Sequence, residues 1–230
     1  MYQFLLNKTV QHSKLLTFFN TLSPPSKGVT LALISTALFT IVGVFVRKLS
    51  ADYDTFQILF FRQFIFMLLL VPAMIQNVDS LLKPNKVPLH ILRILGAFIA
   101  LYFGFVTVSN IPFADATALG FLQVIFVAVI ARVALNEQIT GTRIFTIIVG
   151  FIGVMIVVRP TFEDSHSIYI LSGVIASLGA GVAVICVRKV AQSEPKITLM
   201  AYQAFTIGFI ALLPTLFLWR TPTLEDFMWL

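Results

Sequence analysis

The chain has 230 residues, of which 58% are hydrophobic and only 11% charged, with a formal net charge of +6 and a mean hydropathy of +0.95. Soluble globular domains carry about 25% charged residues, so this composition excludes an ordinary soluble fold. The basic residues sit at the ends of apolar runs instead of forming one continuous face, which excludes a protein that tracks a nucleic-acid groove.

Residues 1–27 are polar to mixed, with Lys8, Lys14 and Lys27 and no acidic residue. No apolar core of signal-peptide length precedes Pro24-Pro25. The segment reads as a cytoplasmic tail, part of which could lie along the membrane through Phe4, Leu5, Leu15, Leu16, Phe18 and Phe19.

Seven apolar runs follow, at about 28–46, 56–75, 89–109, 112–135, 142–158, 168–187 and 197–219. A helix of roughly 20 apolar residues matches a hydrocarbon core about 30 Å thick. The expected fold is therefore all-α, a polytopic bundle of transmembrane helices. Lys and Arg set its orientation. With the N-terminus inside, 11 of the 16 basic residues fall on inner segments and 4 on outer ones, and Arg62 lies within a span. Positive residues concentrate on the cytoplasmic side of membrane proteins, which places the N-terminus in the cytoplasm.

An internal repeat organises these runs. Gly28–Ser50 aligns with Tyr169–Ala191 at a spacing of 141, anchored by Val46-Arg47-Lys48-Leu49 against Val187-Arg188-Lys189-Val190. Further on, Gln63 falls opposite Gln203 and Pro72 opposite Pro214. Five spans separate the copies, an odd number, so the second enters from the opposite face. Inverted repeats of this kind build carriers that rock around a central site. Arg47-Lys48 breaks the positive-inside pattern while its copy Arg188-Lys189 obeys it, as expected of a duplicated segment inserted upside down.

Between the copies, residues 111–160 form a helical hairpin with a charged turn. Its ordered features are Pro112 at the start of one span, Glu137 two residues past its end, Gly150 and Gly153 in the next, and the stop Arg159-Pro160. Taken together the set resembles the fourth and fifth helices of an EamA-type repeat, in the drug/metabolite transporter superfamily. One departure is Gln123-Val124, where that family usually has a proline. The resemblance covers residues 28–220. It implies an inverted five-plus-five helix architecture, with a tail at 1–27, a first repeat at 28–160 and the start of a second at 161–230. Seven spans are present, and ten would need roughly 70 more residues. The chain reads as a truncated carrier that would not transport as it stands, since the site lies between two halves. A homodimer could supply the other half, although the charge bias works against dual insertion.

Polar residues inside spans cost free energy in lipid and tend to face a cavity. Arg62, about two turns into the second span, leads the pathway candidates. It serves substrate or coupling, or else snorkels outward or braces against Asp115; in the resembled family a basic residue recurs at this point of the second helix. Asp115, one turn into the fourth span, suits the helix N-terminal dipole or proton coupling. Thr36, Thr40, Gly43 and Arg47 share one face of the first span, and the copy keeps Ser177, Gly181 and Arg188. Such a stripe serves close helix packing or lines a pathway. Gln123, Tyr102, Ser109, Tyr202 and Gln203 complete the pathway set.

Nothing reads as an enzyme. His12, His90 and His166 lie at or beyond span ends with no ligand spacing, so no metal site is expected. No Gly-rich phosphate loop followed by Lys occurs, and no cofactor is implied. The single Cys186 lies inside an apolar run as a small core residue. The expected function is secondary transport of a small organic solute or metabolite, by efflux or uptake, across a bacterial-type plasma membrane. A coupling proton or ion is the expected driving partner. A truncated, non-transporting membrane scaffold is the alternative.

Overall fold

The computed structural model describes residues 21, 23–82, 86–136, 138–159, 161, 167–223 and 226. Among them the regular structure is entirely helical: α1 Pro24–Leu49, α2 Thr55–Ile75, α3 Val78–Leu82, α4 Val87–Asn110, α5 Phe113–Leu135, α6 Gly141–Val158, α7 Ser167–Val190 and α8 Lys196–Phe217. Six of them (α1, α2, α4, α5, α7 and α8) are long and apolar enough to cross a membrane, and α6 is a shorter apolar helix. The chain is a multi-pass helical membrane protein.

Short polar signals set the helix ends. The Asp54 carboxylate accepts from the Phe56 amide at 2.8 Å and caps α2. Thr140 caps α6 by accepting from the Arg143 amide. Asn136 and Arg159 adopt left-handed φ angles of 52° and 48° at the C-caps of α5 and α6, which closes the terminal turn. Pro112 and Pro195 stand at the N-caps of α5 and α8, where a missing amide proton costs nothing.

The chain falls into two units, residues 1–44 and 45–230. Within the first, the Thr36 and Thr40 hydroxyls are exposed and donate back to the Ala32 and Thr36 carbonyls at 2.9 and 3.0 Å. Lipid tails have no acceptor to offer, so satisfying a hydroxyl on its own helix is the economical arrangement.

Within the second unit the most extensive helix contacts are α4 with α7, α2 with α8, and α5 with α7. Small residues on α7 explain two of them. A Cβ on Gly179 would lie 2.8 Å from the Gly96 carbonyl, and a Cβ on Gly96 would lie 2.8 Å from the Gly179 carbonyl. The α4 and α7 backbones therefore touch, and Thr107 adds a 2.8 Å hydroxyl contact to Ser172. On its other side α7 presents Gly173, Ser177 and Gly181 to Leu119 and Phe126 of α5. This is small-residue packing of the membrane type, where close approach replaces the hydrophobic drive. Large apolar side chains such as Leu69, Val133 and Phe145 point outward, reversing soluble usage.

Hydrogen bonds between chain segments sort the helix ends into two sets. Arg47 donates to the Ile111 carbonyl, Thr161 to Asp115, and Gln57 and Arg220 bond each other. At the opposite ends, Lys86 meets Glu194 and Lys189, and Tyr202 meets Leu81. These pairings need α6 to cross as well, so residues 45–223 alternate between two faces as the seven apolar runs imply.

Candidate functional site

Two helix groups, α2 with α8 and α4 with α5 and α7, face each other across a seam where α4 touches α2 and α8 over few residues. The polar side chains buried along that seam define the candidate site.

At one end, the Phe56 and Tyr102 rings stack with centroids 4.5 Å apart. The Arg62 guanidinium lies 5.5 Å from the centroid of the Phe105 ring. Since α2 and α4 run antiparallel here, Arg62 starts deeper than Phe56 yet its head group reaches a ring nearer the end of α4 than Tyr102. The side chain therefore runs back toward the face that carries Asp52–Gln57, as snorkelling predicts.

Beyond it lies a cavity of about 340 Å³ between α4 and α8, walled by Ile94, Leu95 and Phe98 on one side and Ile210 on the other. Its polar edge comes from His90, Tyr202 and Thr206. A second cavity of about 280 Å³ lies between α2 and α8, where Gln63 meets Phe205 and Phe209. Gln63 is 3% exposed, and its amide nitrogen has no hydrogen-bond partner among the described residues.

The other end is tied more firmly. Arg93, 3% exposed, donates to the Gln203 side-chain oxygen at 2.8 Å and to the Leu199 carbonyl. One turn earlier on α4, His90 Nε2 lies 2.7 Å from Glu194 Oε2, with both residues buried. Glu194 Oε1 also accepts from the Lys86 amide at 3.1 Å, satisfying an orphan N–H at the start of α4. The Tyr202 ring packs on His90 at 5.3 Å, and its hydroxyl donates to the Leu81 carbonyl at 2.6 Å.

A clasp closes the first face. The Gln57 amide donates to the Arg220 carbonyl at 2.6 Å and accepts from its N–H at 3.1 Å. Tyr53 donates to Asp226 at 2.7 Å. Hydrogen bonds from Thr223 and Tyr53 hold the Asp226 carboxyl below the usual carboxylate range, and the bond to Asp226 raises the Tyr53 hydroxyl.

Of the residues singled out from sequence, the seam brings together Arg62, Tyr102, Tyr202 and Gln203. Asp115 is buried at the start of α5 and accepts from the Thr161 amide and hydroxyl at 2.9 and 3.2 Å. It holds Thr161, beyond the end of α6. Ser177 donates to the Leu119 carbonyl at 2.7 Å, inside the α5–α7 contact. Gln123 is half-buried on α5. Ser109, near the end of α4, has a buried hydroxyl without a partner among the described residues. Of the motif positions, Gly150 stands at ordinary distance from Phe121 and Gly153 has open space around it; Glu137 lies outside the described residues. His12, His166 and Pro160 do too.

Sequence reading missed His90, Arg93 and Glu194. His90 is read there as lying at or beyond a span end and Arg93 is one of the 11 inner basic residues, but both occupy the first two turns of α4 and are buried. The available signal was their three-residue spacing after Pro88, which puts both on neighbouring positions of one helix side.

The family model for EamA-like transporters matches residues 26–159. The chain is 28% identical over 201 residues to the S-adenosylmethionine uptake transporter of Rickettsia bellii (strain RML369-C), covering 87% of this chain and 69% of that protein. It is 28% identical over 163 residues to the pseudopaline exporter CntI of Pseudomonas aeruginosa (strain UCBPP-PA14), covering 70% and 57%. The riboflavin transporter of Brucella anthropi is 29% identical over 128 residues, covering 55% and 45%. The chain thus spans between 45% and 69% of the length of these three relatives. No solved structure matches it.

Proposed function

We propose, for a chain that belongs to the EamA-like transporter family, that the protein is a secondary transporter of a small organic solute, not an enzyme, and that the seam between α4 and α2–α8 is its pathway. The observation that carries this reading is a cavity of about 340 Å³ between α4 and α8, edged by His90 and Tyr202, in a seam tied toward one face by Arg93–Gln203 and His90–Glu194 and toward the other by Gln57–Arg220. Alternating access needs such ties at both ends, loosened in turn.

Register supports two copies of one helix pair. The ends of α1 and α7, Leu49 and Val190, lie 141 positions apart, and so do the starts of α2 and α8, Thr55 and Lys196. Pro72 and Pro214 each stand three residues before the end of α2 and α8. The α2 start meets the segment after α8, so the two helices run antiparallel, as inverted copies do. The first repeat is assigned to 28–160 and the second begins at 161.

The relatives named as carriers of S-adenosylmethionine, pseudopaline and riboflavin favour a polar metabolite as solute. A proton or ion gradient drives it. Proteoliposomes containing this chain, or a form continued to the relatives' length, are expected to take up at least one of these three labelled solutes above the rate of empty vesicles. No flux of any of them from either form rejects the reading.

The membrane is the bacterial inner membrane, with the N-terminus cytoplasmic by the Lys and Arg count. Cysteines at Gln76 and Thr221, both exposed, in a Cys186→Ala background test this. An impermeant thiol reagent added to intact cells is expected to label position 221 and spare position 76. The reverse pattern inverts the orientation.

A further inference from the structure

The geometry points to Arg93 as the residue that recognises a carboxylate on the transported solute, exchanging Gln203 for it in the seam. This rests on the transport reading above and adds the substrate class. Arg93 is 3% exposed, and both of its bonded nitrogens meet neutral oxygens, the Gln203 amide and the Leu199 carbonyl. Its Nε has no partner among the described residues. Glu194, a carboxylate at the same end of the seam, is engaged by His90 and the Lys86 amide.

A buried guanidinium without an anion carries a desolvation cost that neutral acceptors repay only in part. The fork of an arginine fits a carboxylate in two parallel bonds with opposite charges on the two sides, which neutral oxygens do not supply. The residues next to both partners, Ile94 on α4 and Tyr202 on α8, line the 340 Å³ cavity. Arg93 and Gln203 lie behind that lining, so a solute carboxylate reaches Arg93 when the seam parts and the Gln203 amide gives way to it. The apolar wall of Ile94, Leu95 and Phe98 would hold the rest of the molecule.

The test uses the purified 230-residue chain in lipid nanodiscs. Thermal unfolding is followed with L-amino acids, keto acids and short dicarboxylic acids, each matched to its amide. At least one acid is expected to raise the transition by several degrees while its amide does not. Gln203→Glu supplies a fixed carboxylate to Arg93. It is expected to raise the transition without ligand and to abolish the acid-specific rise. Arg93→Lys, which keeps the charge and loses the fork, is expected to bind the same acid about tenfold more weakly or worse.

Equal shifts from acid and amide overturn the assignment, as does an acid-specific rise that survives Gln203→Glu, or no rise from any acid. An acid that binds by these criteria but shows no flux in vesicles leaves Arg93 as the recognition residue and rejects transport instead.

Discussion

Glu194→Ala is expected to cut the amount of folded protein severalfold and to lower its thermal transition, with Glu194→Gln in between. The carboxylate carries two duties at once. It lies 2.7 Å from His90 Nε2 and accepts the Lys86 amide at 3.1 Å. Both side chains of the His90–Glu194 pair are at most 5% exposed. Removing one partner of a buried hydrogen bond costs about 1–3 kcal/mol for each group left unsatisfied, and here both His90 and the Lys86 amide lose their acceptor or partner. Against a total stability of about 5–15 kcal/mol, that is a large fraction.

Glutamine can still accept from the Lys86 amide, so it keeps the α4 cap and loses only the charge. The control is His90→Ala combined with Glu194→Ala, measured beside each single change. Coupled partners make the double variant less damaged than the sum of the singles. Simple additivity in detergent-solubilised thermal scans would show that the pair is not a unit.

That contact also shows where sequence reading stops. The apolar runs were legible because length in a bilayer is a one-dimensional requirement, and 56–75 and 112–135 fall almost on α2 and α5. Helix ends were less so, since α1 starts four residues before its apolar run, at Pro24, where composition is still mixed. The unusual placement of Arg62 was legible as well, because a charge two turns into a span is costly by itself. His90 and Glu194 are 104 positions apart, and no local pattern announces a pairing across that distance. Arg93 was hidden differently. Near a span end a basic residue also satisfies the positive-inside pattern, so its inward direction was invisible until α8 was placed beside it.

Ser177 and Gly181 were ambiguous for a related reason. Small residues at four-residue spacing suit a pathway wall and a packing face equally. Only the neighbours decide, and here they are the Leu119 carbonyl at 2.7 Å and Phe126 Cβ, 3.0 Å from a Cβ built on Gly181.

Arg62→Ala is expected to abolish transport while the protein accumulates near its normal level. Protein abundance separates this from a bracing role. Placing an arginine in mid-membrane costs about 2.5–3.5 kcal/mol on insertion scales, and less for a side chain that runs back toward one face. Its contact with the Phe105 ring returns about 0.5–2 kcal/mol. Alanine removes the cost together with the ring contact, and an abundance near normal is the result expected of a residue that acts on the solute. Arg62→Lys retains the charge but not the flat cation that lies over the ring. Its expected result is normal abundance with transport reduced by at least about tenfold, the scale of a lost charge-assisted contact. Membrane abundance by immunoblot and initial flux in vesicles are measured together, in whichever form of the protein carries solute. A brace against Asp115 gives the opposite pair of results: Arg62→Ala is degraded, and Asp115→Asn partly restores its level by removing the stranded carboxylate. Restoration of that kind would assign Arg62 to the fold and leave Arg93 as the basic residue that reads the solute.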